Sequence, residues 1–205
     1  MSLLPVTLEL PDGIVRLEPL TMAHGEALLA ALNEDAQIWR YLPTTPPTSP
    51  SAMEEFIDAA LTRASGGNEF PFAVVRRDTG EAIGSTRYLD IQPEHRGVEI
   101  GWTWLARSWQ RTRANTECKF LLLRHAFEQW GAIRVQLKTD SRNEQSQRAI
   151  LRIGARYEGC LRRQRILHDG HERDSVYFSV ITDEWPRVKA NLERRLTEQN
   201  GSPAH

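Results

Sequence analysis

Apolar and polar positions change their spacing along the chain, and each change marks a predicted element. Residues 6–18 alternate apolar and polar side chains around a Pro-Asp-Gly turn, which predicts an edge hairpin or a strand with a lead-in. One helix is predicted from a cap at Thr21 to about Leu32, and another from a capping box at Ser51–Glu54. The four prolines in 43–50 exclude helix and central strand between them.

The middle of the chain has strand periodicity. Residues 70–77 and 81–91 flank a short Asp-Thr-Gly turn, which predicts an antiparallel hairpin. Residues 98–105 follow as a further strand. Since side chains alternate across a strand, we expect two sets on opposite faces. The first set is Val98, Ile100, Trp102 and Trp104, and the second is Glu99, Gly101 and Thr103.

Helical periodicity returns at 115–130, where large apolar residues recur every three or four positions. A strand is predicted at 132–138, and a helix at 143–153 that Gly154 ends in a left-handed cap. Two strands at 157–167 and 175–181 surround an Asp-Gly turn, which predicts a hairpin. Residues 197–205 are predicted to be a frayed tail.

The order of these elements predicts an α+β fold with a mixed, mostly antiparallel sheet. The connection from 98–105 to 132–138 carries a helix and is long enough to join parallel neighbours. With 205 residues, no internal repeat and no obvious linker, the chain is expected to form one domain. Its core is expected at about 6–186, with 187–205 as a C-terminal helix or tail.

Composition narrows the choice of partners. The formal net charge is −1, which argues against nucleic acid and anionic membranes as main partners. No apolar run is long enough for a signal peptide or a membrane span, so we expect a cytoplasmic protein. His168 and His171 have no third ligand in the pattern, and the two cysteines lack metal or redox spacing, so no metal is expected.

The segment Trp104–Glu117 is the most informative part of the chain for function. A strand ends there, a polar loop follows, and a helix is predicted to begin at Asn115 or Thr116. The first amides of a helix have no internal acceptor and lie at its positive end, so they can bind a phosphate. Arg111 and Arg113 add positive charge. The simpler interpretation is an ordinary strand–helix connection with a good N-cap.

The sequence Gln110-Arg-Thr-Arg-Ala-Asn-Thr-Glu117 resembles the pyrophosphate loop of the GNAT acetyltransferases, whose pattern is Q/R-x-x-G-x-G/A. Further segments resemble that family in the same order, nearest to its ribosomal-protein N-terminal acetyltransferase (RimJ/RimL-like) branch. They are Arg134–Asp140, Asn143–Ser146, Gly154-Ala155, Leu161–Arg163, Asp169-Gly170 and Arg173–Ser179. The resemblance implies a GNAT fold with one splayed parallel strand pair, and acetyl-CoA as the cosubstrate.

The resemblance also implies which residues bind acetyl-CoA. Trp104 and Leu105 would pair with its pantetheine arm through their main chains, and Asn143 would contact it, cap its own helix, or do both. The loop residues would receive the pyrophosphate; they are Gln110, Arg111, Thr112, Arg113, Ala114, Asn115 and Thr116. The sequence departs from the pattern where Arg113 replaces the first glycine, since glycine permits positive φ and close backbone approach.

Two catalytic residues are implied. Glu99 is the candidate general base, acting through a water; the alternative is an exposed strand carboxylate paired with an arginine. Ser146 corresponds to the family serine that donates a proton to the CoA sulfur; the alternative is a serine of the first helical turn. Tyr157 and His95 are reserve candidates for acid and base.

Two classes of function remain open on the sequence. The first is an N-acetyltransferase that acts on a primary amine, either a protein N-terminus or a small molecule. The second is a GNAT-fold module without catalysis that binds CoA or a protein partner. An enzyme that uses a longer acyl-CoA has no feature for or against it, and the resemblance also allows a homodimer.

Overall fold

The computed structural model describes residues 6–200. Its strands are β1 (Leu8–Glu9), β2 (Val15–Pro19), β3 (Glu69–Arg76), β4 (Ala82–Gln92), β5 (Gly97–Leu105), β6 (Arg134–Asp140), β7 (Arg156–Ile166) and β8 (Glu172–Ile181). Its α-helices are α1 (Gly25–Asn33), α2 (Pro50–Ser65), α3 (Ala114–Arg124), α4 (Glu144–Ile153) and α5 (Trp185–Asn200). A π-helical segment, His125–Trp130, continues α3 and ends at Gly131 with φ 77°.

All eight strands form one sheet in the order β1-β2-β3-β4-β5-β6-β8-β7. Only β5 and β6 run parallel; the other described neighbours are antiparallel. The predicted α+β class with a mixed sheet is therefore confirmed, as are the hairpins β1–β2, β3–β4 and β7–β8. Within the described residues, no helix combines the length and apolar character needed to cross a membrane.

The helices pack on both faces of the sheet, and successive side chains of each strand point to opposite faces. On β4, the Arg87 guanidinium lies 5.1 Å from the Phe56 ring of α2. The next residue, Tyr88, points the other way and donates a hydrogen bond to the Leu122 carbonyl of α3. We call these the α2 face and the α3 face.

Strand β5 does not keep the alternation that the sequence predicts. Arg87 pairs with Gly101 and Ser85 with Trp104, so two residues of β5 lie opposite one of β4. Trp102, with φ 51°, is in this bulge. A bulge shifts the side-chain frame by one residue. Val98 and Ile100 lie on the α3 face as a pair, but the prediction that the two tryptophans share that face is wrong.

Aromatic contacts place both tryptophans on the α2 face instead. The ring centroids of Trp102 and Phe56 are 6.2 Å apart, and those of Trp104 and Trp39 are 5.6 Å apart. Thr103 lies on the α3 face, where it contacts Lys119 of α3. The bulge therefore brings Trp102 and Trp104 to the face that carries Glu99.

Two predicted helix ends also differ from the structure. The cap of α2 is Ser49, whose hydroxyl accepts the Ala52 amide, because Pro50 takes the first helical position more readily than Ser51. Helix α5 continues to Asn200, so residues 197–200 are helical rather than frayed, and 201–205 lie outside the described residues. Buried Val188, Leu192 and Leu196 hold α5 in the core, which thus extends past 186.

Candidate acetyl-CoA site

The parallel strands β5 and β6 pair along only part of their length. Their pairing ends at Ile100 and Leu137, although β5 continues to Leu105 and β6 to Asp140. Beyond this point, the described residues pair β5 with β4 alone. A free strand edge therefore begins directly after Ile100, as the resemblance implies for the splayed pair.

Backbone alternation shows which groups this free edge presents. The Ala106 amide donates to the Ile83 carbonyl of β4 over 2.8 Å. Because main-chain groups of successive residues point to opposite edges, Trp104 also points toward β4, whereas Leu105 points toward the free edge. Trp104 as a whole is 4% exposed. Of the two residues predicted to contact the pantetheine arm, only Leu105 therefore has main-chain groups at the free edge. The main-chain groups of Trp104 face β4.

The loop after β5 leads directly to the start of α3. The helix begins at Ala114 rather than at Asn115 or Thr116, because the Thr112 hydroxyl accepts the Ala114 amide at 3.2 Å and donates to the Trp109 carbonyl at 2.8 Å. Asn115 is therefore inside the first turn and is not the cap. Among the described residues, nothing accepts the amides of Asn115 and Thr116. These two amides can receive an anion.

The remaining loop side chains have separate roles. The Gln110 side chain donates to the Leu105 carbonyl at 3.2 Å, which ties the loop to the end of β5. Arg111 has φ 64°, so the left-handed position of this loop is at Arg111. Arg113 has φ −67°, and its backbone does not need glycine. Arg113 therefore replaces the glycine of the family pattern without an unfavourable backbone conformation.

The Arg113 side chain points into the protein, away from the open loop. It is 9% exposed, and its Nη2 lies 3.3 Å from Oε2 of the fully buried Glu117. The Glu117 carboxylate also accepts the amides of Ile14 and Val15, at 3.1 and 3.2 Å. Burial raises the pKa of Glu117, against the opposing effects of these amides and of Arg113. The pair fastens the β1–β2 hairpin to the first turns of α3.

A glycine makes this attachment possible. A Cβ atom on Gly13 would lie 2.2 Å from Oε1 of Glu117, which is inside van der Waals contact. The Glu117 carboxylate can therefore reach the β1–β2 hairpin only because residue 13 has no side chain. Of the Arg113 contacts predicted for the cofactor, only those through its main chain are compatible with this geometry.

Glu99 lies at the point where the two parallel strands separate. It is 2% exposed, and its Oε2 is 2.9 Å from both Lys138 Nζ and Gln136 Nε2 of β6. The alternative of an exposed carboxylate paired with an arginine is therefore wrong, because Glu99 is buried and its partner is a lysine. Gly101 leaves room beside it, since a Cβ there would be 3.2 Å from Glu99 Oε1.

Helix α4 begins just after the end of β6 and presents the other two predicted residues. The Asn143 side chain accepts the Ser146 amide at 3.0 Å, which confirms the predicted cap. The contact of Asn143 with the cofactor stays a prediction. Ser146 is half-buried, and its hydroxyl has no partner among the described residues. A hydroxyl in this state is available to a ligand.

The reserve candidates lie farther away. Tyr157 is on β7, three strands from β5, which corresponds to about 14 Å at the usual strand spacing. Its ring contacts Phe178 on the α3 face, whereas Glu99 is on the α2 face. His95 lies in an exposed turn at the opposite end of β5 from the loop. The structure does not bring either residue to the free edge.

Lys119 is a residue near the site that the sequence interpretation missed. It is 7% exposed on α3, and its Nζ donates to Thr103 Oγ1 at 2.7 Å, next to the bulge. Thr103 in turn contacts the Thr86 hydroxyl at 2.8 Å. Burial lowers the pKa of Lys119 to about 8. A lysine amid the apolar residues of a buried helix is the signal that could have found it.

Replacing Lys119 by methionine is expected to stabilise the protein at pH 7 by about 2 kcal/mol, since a pKa unit corresponds to about 1.4 kcal/mol and one hydrogen bond is lost. The folded pKa of about 8 lies below the usual 10.5. Between these values the unfolded chain binds more protons, so the free energy of unfolding rises with pH. The gain from the substitution should therefore shrink above pH 8.

Urea unfolding of both proteins between pH 7 and 10.5 measures this difference. Cys118, whose pKa burial raises to about 12, acts in the opposite direction at high pH in both proteins. Because Lys119 lowers the pKa of Cys118, the comparison is read between pH 7 and 9. A difference that stays constant over the range would contradict a buried charge at Lys119.

The profile of the GNAT acetyltransferase domain matches residues 15–156, which include β5, the loop, α3 and α4. The chain belongs to the GNAT acetyltransferase family. Enzymes of this family use acetyl-CoA, and this GNAT protein has groups that fit it: two free amides for the phosphates and a free strand edge for the pantetheine arm. Within the described residues, no group of three or more His, Cys, Asp or Glu side chains could hold a metal ion.

Similar proteins support this assignment. A GCN5-related N-acetyltransferase structure from Brucella melitensis has 30% identity and a TM-score of 0.88, covering 97% of this chain and 88% of that one. A Bacillus subtilis protein named uncharacterized N-acetyltransferase YoaA is 28% identical over 80% of this chain and 92% of its own length. The ribosomal-protein-serine acetyltransferase of Escherichia coli is 29% identical over 54% of this chain and 60% of its own. This GNAT acetyltransferase is therefore similar to the RimJ/RimL-like branch, as the sequence indicated.

Proposed function

We propose that this acetyl-CoA-dependent enzyme acetylates the α-amino group of a polypeptide N-terminus. The observation that carries the proposal is the free edge of β5, which starts at Gly101, two residues after Glu99, and leads to the unpaired amides of α3. A thioester held along this edge would have its carbonyl beside the buried carboxylate. The non-catalytic alternative is disfavoured, because the family and the named relatives are acetyltransferases.

The proposed binding of acetyl-CoA uses main-chain groups more than side chains. The amides of Asn115 and Thr116 would receive the pyrophosphate at the positive end of the helix. Arg111 is exposed and can add a charged contact. The Leu105 amide would pair with the pantetheine arm as a neighbouring strand does. Gln110 would act indirectly, by holding the loop against β5.

The proposed chemistry is a direct transfer. The neutral amine attacks the thioester carbonyl carbon, a C–N bond forms, and the C–S bond breaks. The nitrogen loses a proton to Glu99 through a water, and the Ser146 hydroxyl donates a proton to the leaving thiolate. Glu99 then releases its proton to solvent, and Ser146 takes one back from solvent. Lys138 would keep the Glu99 carboxylate in position during the transfer.

A polypeptide acceptor is favoured over a small amine by the shape of the α2 face. Small-molecule sites enclose most of their ligand. Here the sheet continues past β6 through β8 to β7, in which every residue but Gly159 is exposed. The E. coli relative, named for a ribosomal-protein serine, points in the same direction. The cytoplasmic location and a homodimer stay predictions.

Thermal unfolding followed by an acceptor screen tests the proposal. Acetyl-CoA at 100 times its Kd should stabilise the protein by about 2.7 kcal/mol. Mass spectrometry should then show one acetyl group added to short peptides with a free N-terminus and none added to the same peptides with a blocked one. Absence of any thermal shift at millimolar acetyl-CoA would contradict the cofactor site. Acetylation of polyamines or aminoglycosides alone would reassign the acceptor.

A further inference from the structure

The α2 face contains a buried arginine without a matching carboxylate. Arg173, at the start of β8, is 7% exposed, and no described carboxylate lies within 4 Å of its guanidinium. Its Nε has no hydrogen-bond partner, and its Nη1 reaches only the Tyr41 carbonyl, at 3.5 Å. A buried charge is costly unless it is paired. The Arg173 guanidinium is therefore available to bind an anionic group of a ligand.

The nearby carboxylates are already paired with other cations. Asp140 accepts two hydrogen bonds from the Arg142 guanidinium, at 2.8 and 3.0 Å, and a third from the Arg142 backbone amide. Glu99 is 2.9 Å from Lys138. Asp140 and Glu99 lie close enough to act on Arg173, but burial has the larger effect and lowers the pKa of Arg173. One positive charge of this cluster is therefore left over.

The position of Arg173 connects it to the proposed reaction. Ser175 pairs with Asp140, so Arg173 lies past the end of β6 on the face that carries Glu99. Its contact with Tyr41 joins it to the segment between the first helices, and the Tyr41 ring lies 5.7 Å from the Arg142 guanidinium. An acceptor that reaches Glu99 across this face would pass the unpaired guanidinium.

We propose that the acceptor amine carries a carboxylate near its nitrogen and that Arg173 binds this carboxylate. The planar guanidinium offers two parallel N–H groups, which suit a carboxylate better than a lysine would. The inference rests on the proposed function, in which the carboxylate belongs to an acidic side chain among the first residues of a polypeptide. A small amino acid would present the same chemistry.

Matched acceptors separate these sources. Peptides with Asp at the second, third or fourth position are compared with the same peptides carrying Asn, and β-alanine is compared with its amide. Steady-state kinetics give kcat and KM for each. We expect at least one acidic peptide to be preferred by about 10- to 100-fold in kcat/KM, mostly through a lower KM.

Three variants identify the residue responsible. Arg173→Gln should remove the preference by raising KM for the acidic peptide while leaving the Asn peptide unchanged. Arg173→Lys should restore it in part. Arg165→Gln is the control, because Arg165 is the exposed cross-strand partner of Arg173 and removes the same charge. Unchanged stabilisation by acetyl-CoA verifies that each variant is folded.

The outcomes distinguish this inference from the proposed function. Equal rates with acidic and neutral peptides, or an equal loss for both in Arg173→Gln, would overturn the carboxylate site and leave the polypeptide acceptor standing. A preference seen only with β-alanine would keep the site and overturn the polypeptide acceptor. If no amine in either set is acetylated, both proposals fall together.

Discussion

Replacing Glu99 by glutamine is expected to lower kcat by about 10²- to 10⁴-fold, the usual contribution of a general base. Glutamine keeps the size of the side chain and can still accept the hydrogen bond from Gln136, but it cannot take a proton. Stabilisation by acetyl-CoA should be unchanged, because Glu99 is separate from the amides of Asn115 and Thr116. Stopped assays of thiol release with saturating peptide measure the change.

Two control variants show whether the effect is catalytic. Glu158→Gln removes another ion-paired carboxylate, held by Arg134 on β6, and should leave turnover nearly unchanged. Lys138→Met removes the partner of Glu99 but keeps the carboxylate. If Glu99 only stabilised the sheet, Lys138→Met would reduce turnover as much as Glu99→Gln. Turnover above one-fifth of the wild-type value in Glu99→Gln would exclude the base.

Replacing Glu117 by glutamine is expected to lower the free energy of unfolding by about 3–5 kcal/mol, because it leaves the Arg113 charge buried without its partner. The amide would also turn one N–H donor toward the backbone amides of Ile14 or Val15, which both need an acceptor. For a chain of this size the midpoint should fall by roughly 10 °C. Urea and thermal unfolding measure the loss.

The chain contains a matched control for this prediction. Glu144 and Arg148 also form an i,i+4 pair on α4, in the reverse order and at 3.0 Å, but both side chains are exposed. Glu144→Gln should change stability by less than about 0.5 kcal/mol, since exposed pairs contribute little. Similar losses in the two variants would show that burial is not the cause.

Much of the fold could be predicted because local patterns decide it. The Asp-Gly turn of β7–β8 and Gly154, with φ 105°, lie where the sequence places them. The bulge at Trp102 could not be predicted, because Gly101–Leu105 looks like regular alternation and only pairing with β4 reveals the extra residue. The fraying expected at 197–200 failed because packing of Leu196 stabilises the last turns of α5.

The candidate site could be located where its residues are close in sequence, whereas contacts between distant residues could not be predicted. The loop and the helix start of α3 are one segment, and a resemblance could locate them. Glu117 reaches Ile14 across 103 positions, and no local pattern connects these residues. Arg173 and Lys138 are likewise ordinary basic residues in their strands. Lys138 matters because the sheet brings the Glu99 carboxylate beside it. Arg173 matters because no described carboxylate pairs with it.

The extra residue in β5 lies next to the point where β5 and β6 separate. Pairing with β6 stops at Ile100, and the bulge follows within two positions. Since a bulge bends its strand and increases twist, it steers the end of β5 away from its parallel neighbour. With one residue fewer, the two strands could continue side by side to their ends and close the slot. A single position of chain length thus separates an open groove beside β5 from an uninterrupted sheet.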